Sequence, residues 1–194
     1  MFSLFRLSRA RGPVDLIDGM AGVRLGERLL QAGVGDPRAF AILAGKAGLT
    51  GRACAVVDGP AAARQLEAAA AAEGVFVEVA IAQGGFWPYD AGSFDVGLLD
   101  GNALLAAGSP ESGQRVRDML RALRLGGRVL IVYATSRGIA ARFGFPSSSA
   151  SSAGRGQALA TALHTAGFRP VRVLAQREGM LFVEGFRPGS GTVI

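Results

Sequence analysis

Two periods of apolar residues alternate along this chain. Val14, Leu16, Ile17, Met20 and Ala21 recur at helical spacing, so Val14 to Ala21 is expected to be a helix. Arg28 to Ala32 is a short apolar run read as a first strand, followed by the glycine turn Gly33-Val34-Gly35. Asp36 is a good helix cap and Pro37 suits a first helical position, where its missing N–H would have no partner. A helix is therefore expected over Pro37 to Ala47, with Phe40, Ile42 and Leu43 turned inward. Arg52 to Val57 is almost wholly apolar and closes on Asp58-Gly59-Pro60. Ala61 to Glu73 is an alanine-rich helix stopped by Gly74, and Val75 to Ala82 reads as a third strand. Gln83 to Ser93 is a loop, and Phe94 to Leu99 a fourth strand ending at Asp100-Gly101-Asn102. Ser112 to Leu123 carries Val116, Met119, Leu120 and Leu123 on one helical face; Gly126-Gly127 breaks it before a fifth strand, Arg128 to Ala134.

The tail departs from this alternation. Arg137 to Gly156 is rich in Ser, Gly and Arg and is expected to be a loop, followed by a helix over Gln157 to Ala166. Pro170 to Gln176 and Met180 to Phe186 are strands joined by Arg177-Glu178-Gly179. A link that short permits an antiparallel hairpin and not a parallel crossover. The expected fold is α/β: a Rossmann-like, doubly wound, seven-stranded sheet, mostly parallel, with a C-terminal antiparallel hairpin. Ligands of such sheets lie beyond the carboxyl ends of the strands where strand order reverses. The loops after Ala32, Val57, Ala82 and Leu99 then share one edge and should build one site.

Composition narrows the picture. With 194 residues, 49% of them hydrophobic, one domain with a full core is expected. The formal net charge is +6, and Lys46 is the sole lysine. That balance permits nucleic-acid binding, but the arginines are spread along the chain without interleaved aromatics, so it is not favoured. Cys54 is the single cysteine and His164 the single histidine, which excludes an internal disulfide and points away from a metal centre. Cys54 reads as a small core residue, and His164 as a surface or capping residue. No stretch is apolar enough for long enough to span a bilayer, and the basic start Met1 to Arg11 lacks the apolar centre of a secretory signal. A cytoplasmic protein is the expectation, with residues 1–22 an N-terminal arm and helix over the site.

Taken together, Gly26-Glu27-Arg28-Leu29-Leu30-Gln31-Ala32-Gly33-Val34-Gly35, Asp58 at the second strand's end, Gly92-Ser93-Phe94-Asp95-Val96, Leu123-Arg124-Leu125-Gly126-Gly127-Arg128-Val129-Leu130 and the ending Ala166-Gly167-Phe168 with its hairpin form an ordered set. In order and spacing it resembles the class I S-adenosylmethionine-dependent methyltransferases. The likeness is nearest to the small-molecule branch typified by the ubiquinone and menaquinone C-methyltransferases, and residues 23–194 would form the methyltransferase-like domain. The resemblance implies S-adenosyl-L-methionine as cofactor. It sets Gly33 and Gly35 against the methionine part, and Asp58, with Gly59 beside it, at the ribose hydroxyls. A carboxylate has acceptors for two vicinal hydroxyls, and Asp58 follows the turn by about 20 residues, as a nucleoside-binding unit requires. A plain strand-end cap is the structural alternative for Asp58. The loop with Gly84, Gly85 and Phe86 would border adenine, with Phe86 or Trp87 as stacking candidates or as roof of the core.

Three positions depart from the family pattern, which makes the cofactor motif degenerate. Gln31 stands where an acid is usual, Pro37 where a third glycine is usual, and no acid stands near Gly85. Asp36, at the same turn, is a candidate to replace part of the missing charge. Asp100 is the best placed candidate base, with a turn or cap as its equal alternative; Tyr133 either faces the acceptor or packs. The acceptor pocket is expected between the N-terminal arm and the segment after the fifth strand, with Phe2, Phe5, Phe143 and Phe145 as apolar walls and Arg137 and Arg142 to attract an acidic group. The run from Ser147 to Ser152 is either a lid or a loose loop.

Four functions follow for test. The first is methyl transfer to a small molecule by in-line displacement; the second is a binding or scaffolding domain whose cofactor site has decayed. A nicotinamide oxidoreductase is third, opposed by Arg38 where the dinucleotide fingerprint wants glycine. An RNA methyltransferase is fourth, favoured by charge alone. The absence of an Asn/Asp-Pro-Pro-Tyr sequence after the fourth strand further disfavours an amino-group substrate on nucleic acid.

Overall fold

A computed structural model describes residues 12–83, 85–107, 109–134 and 149–189. Its elements in chain order are α1 (Pro13–Ala21), β1 (Arg28–Ala32), α2 (Pro37–Ala47), β2 (Arg52–Val57), α3 (Pro60–Ala72), β3 (Glu78–Ile81), β4 (Phe94–Asp100), α4 (Gly101–Ala106), α5 (Ser109–Ala122), β5 (Leu123–Ala134), α6 (Ser149–Ala166), β6 (Val171–Arg177) and β7 (Met180–Phe186). The seven strands form one sheet in the order β3-β2-β1-β4-β5-β7-β6. β1 to β5 pair in parallel, while β7 runs antiparallel to both β5 and β6. This is the seven-stranded, doubly wound sheet with an antiparallel end that the pattern called for.

The near-continuous apolar character of the central strands has a direct cause: both sheet faces are covered, and successive residues point to opposite faces. Leu29, Ala55, Leu98 and Leu130 pack with Ile17, Phe40, Leu43 and Leu66 from α1, α2 and α3. Leu30, Cys54, Leu99 and Ile131 pack on the other face with Leu104, Met119 and Leu163 from α4, α5 and α6. Cys54 is fully buried, and burial pushes its thiol pKa up to about 11.

Several elements differ from the sequence expectation. α4 is a short helix where only a strand-end turn was expected; Asp100 caps it, accepting from Asn102 N at 2.9 Å and Ala103 N at 3.4 Å. β5 opens at Leu123, so the segment through Gly127 is strand rather than helix end and break. The reason is an irregularity: Phe94 pairs with Leu123 but Val96 with Arg128, and Gly126 takes a left-handed φ of 75° within the bulge. The bulge is tied to the chain after β7 by Gly126 N to Arg187 O and Arg187 N to Gly127 O, at 2.9 and 2.8 Å. β3 is shorter than expected because it pairs on one side only, with β2, over Glu78 to Ile81. α6 begins at Ser149, eight residues earlier than the apolar pattern showed. Gly156 faces the sheet, where an added Cβ would make ordinary contact with Leu181 at 3.4 Å.

Candidate functional site

Strand order reverses between β1 and β4, so the loops after β2, β1, β4 and β5 open on one edge of the sheet. The glycine turn sits at its centre. Gly33 N donates to Val56 O at 2.9 Å, holding the turn to the end of β2. Gly33 and Gly35 have φ of 85° and 53°, the left-handed region where a side chain is strained. Asp36 Oδ1 accepts from Ala39 N at 3.0 Å, and Pro37 begins α2.

Gln31 is buried and belongs to the turn. Its Nε2 donates to Gly33 O at 3.3 Å and Val34 O at 2.6 Å. A carboxylate only accepts when ionised and would leave both carbonyls unpaired, so an amide is the side chain that closes this turn from within. The departure at position 31 thus has a local structural reason.

Asp100 ends β4 facing the turn, and a Cβ on Gly33 would lie 3.6 Å from its Cβ. Both capping bonds use Asp100 Oδ1. Asn102 clamps the end of β5: its Nδ2 donates to Ala134 O at 2.7 Å and its Oδ1 accepts from Ala134 N at 2.8 Å. Gly101 is required there, since a Cβ would come within 2.9 Å of Tyr133 Cβ and 3.1 Å of its Cα.

These parts enclose a cleft of about 560 Å³. Gln31, Gly35, Asp36, Asp100 and Asn102 give its polar rim; Ile17, Phe40, Leu98, Val132 and Met180 give its apolar walls. Pro13 and Ile17 bring α1 onto it. Among the described residues, its lining has two carboxylates and no Arg, Lys or His, in a chain of net charge +6.

Other candidates fall outside this cleft. Tyr133 alternates with the cleft-lining Val132 and Ala134, so its ring lies on the opposite sheet face. There it packs in the α4–α6 core, 5.4 Å from Arg155 Cζ. Asp58 follows β2, the strand next to β1, and its side chain is 68% exposed. It does not stand open: Arg115 Nη2, from α5, bridges its two oxygens at 2.9 and 2.8 Å. Gly59 caps α3 in extended conformation, with free space where a Cβ would be. Gly85 also faces free space, and Phe86 is 66% exposed, its N donating to Gln83 O at 3.0 Å. Trp87 is buried in the core with Phe94 and Val116, a roof rather than an exposed stacking surface. His164 lies on the surface, its Nδ1 2.8 Å from Arg169 Nη1. Gly84, the arm with Phe2 and Phe5, and Ser147, Arg137, Arg142, Phe143 and Phe145 lie outside the described residues. Sequence reasoning missed Arg115 and the Asn102 clamp. Nothing local marks either, because their partners are distant in the chain.

No family model and no curated protein sequence matches this chain. Solved structures do. A SAM-dependent methyltransferase from Aquifex aeolicus superposes with a TM-score of 0.70 at 14% identity, covering 91% of this chain and 90% of that one. A SAM-dependent O-methyltransferase from Thermotoga maritima gives 0.65 at 17% identity, covering 92% and 66%. The [4+2]-cyclase SpnF gives 0.64 at 15% identity, covering 91% and 80%. At these identities the likeness is one of fold, and that fold is the one found in S-adenosylmethionine-dependent methyltransferases. Among the described residues no helix is long and apolar enough to cross a membrane.

Proposed function

We propose that this protein is an S-adenosylmethionine-dependent methyltransferase acting on a small-molecule acceptor. The observation that carries the reading is the acidic cleft at the strand-order switch of an otherwise basic chain. Its carboxylates favour a ligand with positive charge on an apolar body. S-adenosylmethionine has a sulfonium and an ammonium, and when bound it would supply an activated methyl group to a nucleophile. Gly33 and Gly35 leave the turn's backbone bare toward such a ligand. Asp36 and Asp100 supply negative charge, and the Gln31 amide oxygen is an uncharged acceptor beside them. Asp100 Oδ2, which makes neither capping bond, is the atom we assign to taking a proton from an acceptor that must lose one. Ile17, Val132 and Met180 form the wall against which an apolar acceptor would lie, with α1 shielding that side of the cleft. Within the expected cover of residues 1–22, Pro13 and Ile17 of α1 would serve the acceptor side, while residues 1–11 lie outside the described residues.

Calorimetric titration with S-adenosylhomocysteine tests this reading. Micromolar binding is expected; no heat at high micromolar concentration would overturn it. One observation favours a second reading, a methyltransferase-like binding or scaffolding domain: the acid at the end of β2 is already engaged by Arg115. The same titration separates the two.

A further inference from the structure

We infer that Arg115 competes with the ligand for Asp58 and so sets the affinity of the nucleoside end of the site. The inference rests on the reading of the cleft as an S-adenosylmethionine site and deepens it. Two vicinal hydroxyls would reach a carboxylate by donating one to each oxygen, across its open end. Arg115 Nη2 occupies that end, bridging Oδ1 and Oδ2 from one nitrogen at 2.9 and 2.8 Å. A diol and this guanidinium cannot both take that position.

The pair is built to open. Asp58 is 68% exposed and Arg115 26%, so both groups can return to water when the pair parts. Exposed ion pairs are weak and screened by salt. Arg115 sits on α5, on the sheet face opposite α2, whereas Asp58 closes β2 beside the glycine turn. The guanidinium thus reaches over the sheet edge to the position that the ribose would need, while the cleft at Gly35 and Asp100 stays free of it. The methionine end is open and the nucleoside end is latched by the protein's own cation.

Titration of wild type, Arg115→Gln, Asp58→Asn and the double variant with S-adenosylhomocysteine at low and high salt tests this. Arg115→Gln should bind about two- to fivefold tighter at low salt, the range an exposed pair supports. The gain should shrink at about 0.5 M salt, where the Debye length is only a few ångströms, and vanish in the Asp58→Asn background. Equal or weaker binding by Arg115→Gln, with wild type still binding, would overturn the competition and leave the methyltransferase reading intact. A gain that persists without Asp58 would overturn it as well. No heat from any of the four proteins would overturn the cleft assignment itself, and the inference with it. In wild type, which needs no substitution, the affinity for uncharged adenosine should rise between low and about 0.5 M salt as the pair is screened, and a fall or no change would overturn the competition.

Discussion

The two edges of the sheet use charge in opposite ways. At the amino edge, where the parallel strands begin, arginines tie the chain together. Asp95 accepts from Arg28 N at 2.8 Å, from Arg28 Nε at 3.1 Å and from Arg124 Nε, joining the starts of β1, β4 and β5. Arg128 Nη2 donates to Ala21 O at 2.6 Å and Gly22 O at 2.8 Å, fixing the end of α1. Arg52 forks onto Glu78 across β2 and β3 at 2.9 and 2.6 Å. At the carboxyl edge, acids at loop and helix starts take a different part: Asp36 and Asp100 accept from backbone N–H groups, and Asp58 holds Arg115. The lesson concerns the resemblance. Its segments Gly92–Val96 and Leu123–Leu130 carry the stapling of the amino edge, and only the glycine turn and Asp58 belong to the edge that can meet a ligand.

The sharpest way to break this division is Asp95→Ala. The carboxylate side chain is only 13% exposed, and its loss unpairs two arginines and one backbone N–H. We expect a loss of about 3 kcal/mol of folding stability by denaturant unfolding, with affinity for S-adenosylhomocysteine unchanged within about twofold. Burial pulls the Asp95 pKa up, but hydrogen bonds from Arg124 and Arg28 outweigh it and hold the carboxyl below its ordinary value. A depressed folded pKa contributes stability that is fully present above the unfolded value of about 3.9 and is lost as pH falls through the folded one. Asp95→Ala should therefore flatten the acid side of the stability profile below about pH 5. A variant as stable as wild type at neutral pH would show that the amino edge does not depend on this staple.

The same comparison shows what was readable from the chain. β1, β2 and β7 lie where their apolar runs placed them, because residues buried on two faces leave an unbroken signal. The Asp36-Pro37 start of α2 was readable because capping is local chemistry. α4 was not: its cap and first two residues, Asp100-Gly101-Asn102, also spell a turn, and the clamp from Asn102 to Ala134 that fixes it spans 32 residues. The bulged opening of β5 was hidden for the same reason, since Gly126 is held by Arg187 beyond β7. At the carboxyl edge, local geometry was legible for Gly33, Gly35, Asp36 and Asp100, two left-handed turn glycines and two helix caps set by one turn and one strand end. The engagement of Asp58 by Arg115 was not, because a pair 57 residues apart leaves no mark on either neighbourhood.

The next test addresses the carboxyl edge. Gly33→Ala adds a Cβ that meets only ordinary contact, 3.6 Å from Asp100 Cβ, so crowding is not the cost. The cost is the left-handed φ of 85°, about 1–2 kcal/mol for a residue with a side chain. Stability should fall by about that amount, far less than for Asp95→Ala. Affinity for S-adenosylhomocysteine should fall about tenfold or more, as the turn shifts and its bare backbone is covered. A variant that loses stability but keeps full affinity would remove Gly33 from the site and leave it a purely structural turn glycine.

The smallest effect separates two roles of one side chain. Asp36 caps α2 through Oδ1, and it also lines the cleft as one of two carboxylates. Asp36→Ala removes both roles and should cost about 1 kcal/mol of stability. Asp36→Asn keeps the cap, since asparagine is as good an N-cap as aspartate, and removes only the charge. Stability of the asparagine variant should therefore stay within about 0.5 kcal/mol of wild type. If Asp36 supplies charge that Gln31 does not, the asparagine variant should bind S-adenosylmethionine about two- to fivefold more weakly, a loss that narrows as salt screens the charge. The neutral thioether of S-adenosylhomocysteine should lose less than the sulfonium does. Unchanged affinity for both ligands would confine Asp36 to holding the helix, and the negative charge of the cleft would then rest on Asp100 alone among the described lining residues.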